Sequence, residues 1–314
     1  MSPVAATRRR PSLRRTFLLA VLALTLGLFT QTSPTEEMPA AARRAYALLS
    51  GLVNVQLPEA TAATREQYVL SAPPGQMPAV RAKEIYGPIA SYLSRVSGKN
   101  IIYRHLGDWR AYAKAVREGR ADLAFDSAHF ASWRIAKTRH EPLAKMAVPS
   151  AFVVLARFGN KQVTRLDNLV GRRLCARARP NQDTLTVYSR YDNPARQPVL
   201  LAMSDPLRIY HTMMAGGCDG AVVPLSVFHK LNPDNRYVRV LLRSDATPGP
   251  TLTVGPRLSP TDKAKILHAL LSPQGQKIMA PLCKRLGADQ VVSAVRKEYA
   301  GLDAVLRNTW GFDI

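Results

Sequence analysis

Residues 119–125 of the chain are Gly-Arg-Ala-Asp-Leu-Ala-Phe, and residues 217–223 are Gly-Cys-Asp-Gly-Ala-Val-Val. Each stretch has a glycine suited to ending a helix, then an aspartate, then an apolar run of strand length. A helix is predicted before each glycine, from Asp108 as N-cap in the first case and over residues 207–215 in the second. Two similar units about a hundred residues apart indicate two related lobes.

The segments around both stretches alternate between strand and helix patterns. Short apolar strands are predicted at 68–71, 101–103, 121–125, 152–156, 174–176, 199–201 and 221–223. Helices are predicted between them, one with an apolar face at Ile85, Ile89 and Leu93, and another over residues 184–191. Serine–proline pairs at 259–260 and 272–273 begin two more helices, and an amphipathic stretch at 291–310 is predicted to close a helical C-terminus. This alternation is typical of the α/β class, in which helices cover a parallel sheet.

The composition is that of a globular protein with a strongly basic surface. Apolar residues make up 46% of the 314 positions, and the formal net charge is +22. Five of the positive charges lie within the first 16 residues. No Lys/Arg-rich run interleaved with aromatics follows, and no zinc-finger or helix-turn-helix pattern occurs, so no nucleic-acid partner is expected. We interpret the remaining charge mainly as solvated surface that also attracts anions.

The cysteines and histidines predict no metal site and no cofactor. Cys175, Cys218 and Cys283 have no short spacing, which excludes a zinc knuckle or a dense disulfide framework. At most one disulfide can form, and we interpret all three as buried apolar side chains. The six histidines show no metal-ligand spacing.

The N-terminus has the pattern of an export signal. A basic stretch at residues 8–15 leads into thirteen uncharged, apolar residues at 17–29, which suit a signal-peptide core better than a membrane span. Residues 14–18 resemble a twin-arginine signal but lack its usual flanks, so the Sec route is favoured and both stay open. We expect residues 1–30 to be a signal peptide or uncleaved anchor and residues 31–66 a linker with a short helix near 43–52. The body of the protein should then lie in the periplasm.

Several motifs resemble phosphate/phosphite/phosphonate-type solute-binding proteins of ABC transporters. They are residues 86–94 (Tyr-Gly-Pro-Ile-Ala-Ser-Tyr-Leu-Ser), the strand 101–103, residues 119–125, residues 166–175 (Leu-Asp-Asn-Leu-Val-Gly-Arg-Arg-Leu-Cys), residues 217–223 and residues 271–276 (Leu-Ser-Pro-Gln-Gly-Gln). The fourth is similar to the family's L-x-D-L-x-G-K strand entry. Each motif alone is common, and their order and spacing over residues 67–312 carry the resemblance.

The resemblance implies a two-lobed type II periplasmic-binding fold, with each lobe a mostly parallel sheet flanked by helices. We assign residues 67–150 and 249–314 to the first lobe and residues 151–248 to the second, with crossover strands near 151–153 and 251–253. The implied function is capture of a small anionic ligand between the lobes for an ABC permease. The protein is expected to be a monomer and not an enzyme.

Helix N-termini that face the cleft would suit such an anion, because they present unpaired N–H groups and partial positive charge. Two junctions qualify, residues 125–129 in the first lobe and 180–184 in the second. The candidate ligand-binding residues are Gln76, Asp126, Ser127, His129, Asn181, Gln182, Asp183 and Thr184. For Asp126, Ser127 and Asp183, plain helix capping is an equal alternative. Val223 and Pro224 stand where aminophosphonate binders place an acidic residue, so the ligand's identity does not follow from the resemblance.

Two other functions fit the same fold. A sensory protein would use ligand closure to signal to a membrane partner rather than to feed a permease. An enzyme would need a nucleophile, such as Cys175 or Cys283 with His129, but no nucleophile elbow, P-loop or HExxH motif supports catalysis.

Overall fold

The structure is a computed structural model that describes residues 66–74, 77–231, 236–307 and 312. The predicted signal segment, the short helix at 43–52 and almost the whole predicted linker lie outside these residues. In the described part, the strands and helices in chain order are β1 (Gln67–Ser71), α1 (Ala79–Ser97), β2 (Asn100–Tyr103), α2 (Trp109–Arg117), β3 (Leu123–Asp126), α3 (Ala128–Lys137), β4 (Glu141–Met146), β5 (Phe152–Arg157), β6 (Arg173–Ala176), α4 (Gln182–Tyr188), β7 (Val199–Ala202), α5 (Pro206–Met214), β8 (Gly220–Pro224), α6 (Leu225–Leu231), β9 (Val238–Arg243), β10 (Thr251–Val254), α7 (Pro260–Leu271), α8 (Pro273–Leu286) and β11 (Val291–Ser293).

The strands form two mixed sheets, one in each lobe. The first sheet has the order β11-β4-β10-β3-β1-β2, and the second has the order β7-β6-β8-β5-β9. Pairing is parallel where β1 meets β2 and β3, and again where β6 meets β7 and β8. The other pairs are antiparallel. The two-lobed type II fold is therefore confirmed, although each sheet is mixed rather than mostly parallel.

Local capping explains where several helices begin. The Asp108 carboxylate accepts a hydrogen bond from the Ala111 amide, as an N-cap aspartate should. The hydroxyls of Ser259 and Ser272 accept from amides three residues further along, with proline at the first position of each helix. These three predicted helix starts are confirmed. Helix α4 begins two residues earlier than the predicted 184–191 helix and ends at Tyr188.

The predicted amphipathic helix at 291–310 is wrong. Its β-branched start forms β11 on the edge of the first sheet, and two 3-10 helices follow at Arg296–Tyr299 and Leu302–Leu306. Gly301 separates them with a φ of 75°, a left-handed conformation that ends a regular helix. The sequence analysis also missed β4, β9 and α6.

Two chain segments cross between the sheets side by side. Ser150 and Thr247 form an antiparallel bridge, each amide donating to the other residue's carbonyl at 2.9 Å. Gly249 follows this bridge in the chain and packs closely against backbone atoms of the neighbouring segment. A Cβ at this position would lie against the Val148 carbonyl oxygen and 2.7 Å from that of Met146. The junction between the lobes therefore depends on a residue without a side chain. The numerical lobe boundaries proposed from the sequence stay a prediction.

Two of the cysteines are paired. Cys175 in β6 and Cys218, just before β8, form a disulfide with a Cα–Cα distance of 5.8 Å. The interpretation of these two as separate buried thiols is wrong, because parallel pairing of β6 and β8 brings their surroundings together. Cys283 is a free, buried thiol in the core of the first lobe, as expected.

Neither a membrane-crossing helix nor a metal-ligand cluster occurs within the described residues. None of their helices is long and apolar enough to cross a bilayer. Their His, Cys, Asp and Glu side chains form no group of three or more that could hold a metal ion.

Replacing Gly249 tests the close packing at the crossover. Gly249→Ala should lower the free energy of unfolding by about 1–3 kcal/mol, because the opposing carbonyls belong to the backbone and cannot swing aside. Gly87→Ala in α1 is the matched control, since a Cβ there meets nothing within 4 Å. It should raise stability by about 0.5–1 kcal/mol. Chemical denaturation measures both, and equal effects would contradict the packing argument.

Reduction tests the contribution of the disulfide. The bond closes a loop with a sequence separation of 43, so the chain-entropy model predicts a loss of about 4 kcal/mol when it is broken. A reductant should lower the midpoint of denaturation of the parent protein. The Cys175→Ala/Cys218→Ala double variant should be less stable from the start and insensitive to reductant. Equal reductant sensitivity of both proteins would contradict the pairing.

Candidate ligand-binding site

The two helix junctions predicted to face the cleft are in contact. His129 Nε2, at the start of α3, lies 3.0 Å from the Pro180 carbonyl oxygen, just before α4. Leu185 of α4 packs among Phe130 and Trp133 of α3 in one apolar cluster. The structure therefore brings the 125–129 and 180–184 segments together across the two lobes.

Asp126 is part of a buried ion pair. Its carboxylate accepts a hydrogen bond from Arg134 Nε at 2.6 Å and another from the Tyr112 hydroxyl, and all three side chains are fully buried. Burial alone would lower the pKa of Arg134, but the Asp126 carboxylate and the Tyr112 oxygen raise it. Burial, together with Asp126, raises the pKa of Tyr112 well above its ordinary value. Arg134 thus stays charged, and its positive charge balances the negative charge of the Asp126 carboxylate within the first lobe.

Ser127 occupies the N-cap position of α3 without capping it. Its side chain forms no hydrogen bond to the first turn of the helix. Asp126 also points to Arg134 rather than to the helix start. Plain capping, the alternative offered for these two residues, is therefore not what the structure shows, and the first-turn amides of α3 lack a side-chain cap.

Asp183 occupies the start of α4 in the second lobe. Arg177 donates to its Oδ2 from Nε at 2.9 Å and from Nη2 at 2.7 Å. Its Oδ1 accepts from the Thr184 amide at 2.8 Å. The Thr184 hydroxyl donates to the Arg177 carbonyl oxygen at 2.6 Å. A carboxylate of the chain itself therefore takes the amide and the guanidinium that an anion could use here.

The three remaining candidate residues differ in their contacts. Gln182 Nε2 donates to the Thr247 hydroxyl at 3.1 Å and so connects α4 to the crossover segment. Asn181 Nδ2 donates to the Ala178 carbonyl oxygen within its own loop. Gln76 lies outside the described residues. Contact of any of these side chains with a ligand stays a prediction.

His129 is neutral in its buried position. Burial lowers its pKa to about 4, although the Pro180 carbonyl, the Asp183 carboxylate and the Gln182 side chain favour the protonated ring. A neutral ring bonded to a carbonyl oxygen must carry its proton on Nε2. Its Nδ1 is then a hydrogen-bond acceptor, and it has no partner within the described residues.

Besides Arg157 Nε in the second lobe, three further polar groups, all in the first lobe, are buried without a partner in the described chain. They are the Ser71 hydroxyl at the end of β1, Trp133 Nε1 and Arg134 Nη1. Ser71 pairs in register with Ala124, two residues before Asp126. Buried polar groups are nearly always satisfied in native proteins, so these donors are exceptions within the described chain.

Sequence reasoning missed both arginines of the site. Arg134 follows Phe130 by four residues and therefore shares its inward helix face, but this signal is weak in a chain with 44 lysines and arginines. Arg177 lies only six residues before Asp183, yet their pairing depends on how the loop between β6 and α4 folds.

The histidine predicts a dependence of stability on pH. Because folding lowers the pKa of His129 from 6.5 to about 4, the unfolded chain binds more protons between these values, and stability falls as the pH falls through that window. The slope should be roughly 1.4 kcal/mol per pH unit for this residue. His140, whose pKa burial lowers to about 3, should add a similar slope. Denaturation curves from pH 7 to 4.5 should show a shallower slope for His129→Gln, and an unchanged slope would contradict the burial effect.

Known structures share this two-lobed architecture at low sequence identity. XAC2383 from Xanthomonas citri bound to ATP has a TM-score of 0.61 at 13% identity, covering 77% of this chain and 97% of its own. PhnD1 from Prochlorococcus marinus in complex with methylphosphonate has a TM-score of 0.58 at 11% identity, covering 78% and 98%. A binding protein component of an ABC phosphonate transporter from Pseudomonas aeruginosa has a TM-score of 0.51 at 14% identity, covering 79% and 96%. These similarities establish the fold.

The family follows from the sequence match. None of the curated proteins matches the chain. A family model described as the phosphonate periplasmic substrate-binding protein of ABC transporters matches residues 74–299, more than two thirds of the 314 residues. The match includes the strands of the second sheet and the helices α1 to α8. The chain therefore belongs to the phosphonate-type periplasmic substrate-binding proteins of ABC transporters.

Proposed function

We propose that this protein is exported, captures a small phosphonate- or phosphate-like anion between its lobes, and delivers it as a monomer to an ABC permease. The observation that carries the proposal is the contact of the two junctions, in which His129 meets the Pro180 carbonyl. A ligand between α3 and the loop before α4 would contact both lobes at once. Such shared contacts favour the closed form, which is how hinge-closing proteins couple binding to motion.

The charges near the contact favour an anion. Each buried carboxylate is matched by an arginine of its own lobe, Asp126 by Arg134 and Asp183 by Arg177. Neither aspartate therefore leaves an uncompensated negative charge that would repel the ligand. Arg177 is about one third exposed, so its guanidinium is accessible for a second, bidentate partner.

Unused donors in the first lobe support the same ligand class. The first-turn amides of α3 lack a side-chain cap, and a ten-residue helix presents partial positive charge there. The Ser71 hydroxyl, Trp133 Nε1 and Arg134 Nη1 are donors of the same lobe that have no partner among the residues that the structure describes. Oxyanions supply several acceptor oxygens at once. The His129 Nδ1 acceptor favours a singly protonated oxyanion, whose O–H could donate to it.

The location follows from the family and is supported by two features of the chain. Periplasmic members of ABC systems act outside the inner membrane, and the basic-then-apolar stretch of residues 8–29 fits an export signal. The Cys175–Cys218 disulfide fits an oxidising compartment.

The state of the two candidate nucleophiles, Cys175 and Cys283, fits a binding protein better than an enzyme. Cys175 is in the disulfide, and Cys283 is buried in the first lobe beside the sulfur of Met146. Burial raises the pKa of the Cys283 thiol, which disfavours the reactive thiolate. Neither can serve as the nucleophile that an enzyme with His129 would need.

Replacing Asp183 tests the ligand's charge. Asp183→Asn keeps an oxygen that accepts from the Thr184 amide but removes the negative charge that holds Arg177, so this guanidinium becomes available to an anion. We expect the affinity for methylphosphonate or phosphate to rise roughly tenfold, the effect of one added charge-assisted hydrogen bond. Calorimetric titration against phosphate, phosphite, methylphosphonate, sulfonates and small carboxylates measures this.

Asp167→Asn is the control for net charge, since Asp167 is an exposed carboxylate of the second sheet's lobe that also pairs with an arginine. It should leave affinity nearly unchanged. A sharp loss of binding in Asp183→Asn, together with a cationic or zwitterionic ligand in the screen, would overturn the anion proposal. If neither Asp183→Asn nor Arg177→Ala changes the affinity for the ligand, the binding site lies elsewhere.

A further inference from the structure

An exposed aromatic pair lies at the β9 edge of the second sheet. Phe158, directly after β5, is 54% exposed, and Tyr237, directly before β9, is 65% exposed. The Phe158 amide donates to the Tyr237 carbonyl oxygen at 3.0 Å, so the two residues are neighbours on adjacent chain segments. Val240 of β9 is a further 39% exposed apolar side chain. Single exposed apolar residues need no explanation, but neighbouring ones indicate an interaction surface.

Positive charge surrounds these rings. Lys161 Nζ lies 5.2 Å from the centre of the Phe158 ring, and the Arg239 guanidinium lies 5.3 Å from it. Arg239 is held there by a hydrogen bond from Nη1 to the Val163 carbonyl oxygen at 2.9 Å. The β9-edge patch consists of Phe158, Lys161, Arg236, Tyr237, Arg239 and Val240.

The two segments that form the patch contain no acidic residue, and Asp234 and Asp245 lie two residues outside them. Residues 157–163 and 236–243, which form it, contain five lysines and arginines but no aspartate or glutamate. Lys161 and Arg236 are exposed. The patch therefore combines exposed rings with cationic side chains that no carboxylate of these segments neutralises, a pairing suited to a partner that is anionic at its surface and apolar beneath.

The exposure of the rings favours a broad surface over a small molecule. Ligand sites are concave and bury most of a small ligand, whereas rings more than half exposed do not line such a cavity. The boundary of a bilayer offers both required environments, since aromatic rings insert at the headgroup level while lysine and arginine pair with anionic headgroups.

We propose that the β9-edge patch docks the protein on an anionic lipid surface. The rings of Phe158 and Tyr237 enter the interface, and Lys161, Arg236 and Arg239 pair with the headgroups. This role is separate from solute capture, because the patch lies on the outer edge of the second sheet and shares no residue with the candidate site.

Vesicle binding by the full chain tests the proposal. The protein should partition onto vesicles of phosphatidylglycerol and phosphatidylethanolamine more strongly than onto neutral phosphatidylcholine vesicles, and less strongly as salt rises. Lys161→Ser/Arg236→Ser should lower the partition coefficient roughly 25-fold, about fivefold for each charge. Phe158→Ser/Tyr237→Ser should lower it roughly tenfold by removing apolar burial.

Two matched controls separate the patch from general charge and from the apolar stretch at residues 17–29. Lys83→Ser/Lys277→Ser removes two exposed cations of the first lobe, and Val199→Ser/Leu207→Ser removes exposed apolar side chains of β7, at the opposite edge of the second sheet, and of α5. Both should bind vesicles nearly as the parent does, since residues 17–29 are the same in every variant. Patch variants that bind like their controls, or a parent without preference for anionic vesicles, would overturn the proposal. Unchanged circular dichroism and phosphonate affinity in the patch variants confirm that the fold is intact.

Discussion

The buried ion pair between Asp126 and Arg134 sets the geometry of the site. Asp126 ends β3 and pairs in register with Thr251 of β10, while Arg134 lies one helical turn beyond Phe130 in α3. Both charges are fully buried, and removing one partner of such a pair typically costs about 3–5 kcal/mol. The pair therefore holds α3 against the end of β3, an interior strand of the first sheet. In that orientation α3 presents His129 to the second lobe.

The same logic explains why two carboxylates are compatible with an anion site. A carboxylate near a helix start competes with an anionic ligand only while it is free. Asp126 is fully used by Arg134 and Tyr112, whereas Asp183 is held by Arg177 at the helix start itself. The aspartates at the two junctions therefore have different roles in the two lobes. In the first, the carboxylate is structural. In the second, it occupies a position that a ligand would have to share or take.

Much of the fold was predictable because its central strands are short apolar runs bounded by glycine and aspartate. β3 and β8 follow this pattern, and serine–proline pairs begin α7 and α8. Strands β4 and β9 were not predictable in the same way. β4 contains a proline and two charged residues, and β9 has arginine at both its second and last positions. Their strand character comes from pairing with β10 and β5, which local sequence does not reveal. The two helix junctions that meet could be named from the sequence, and their role in ligand binding stays a prediction. The arginine partners, the neutral state of His129 and the unused donors all depend on which side chains the fold buries together.

The discontinuity of the first sheet has a consequence for the order in which the chain acquires its structure. All five strands of the second sheet come from one uninterrupted segment, residues 152–243, whereas the first sheet needs β10 and β11 from the end of the chain. When the chain emerges with its N-terminus first, all strands of the second sheet are present before β10 and β11 of the first sheet have emerged. Cys175 and Cys218 are then both present before Cys283 appears. If the chain enters an oxidising compartment N-terminus first, the native disulfide is for an interval the only one of the three possible pairings that can form.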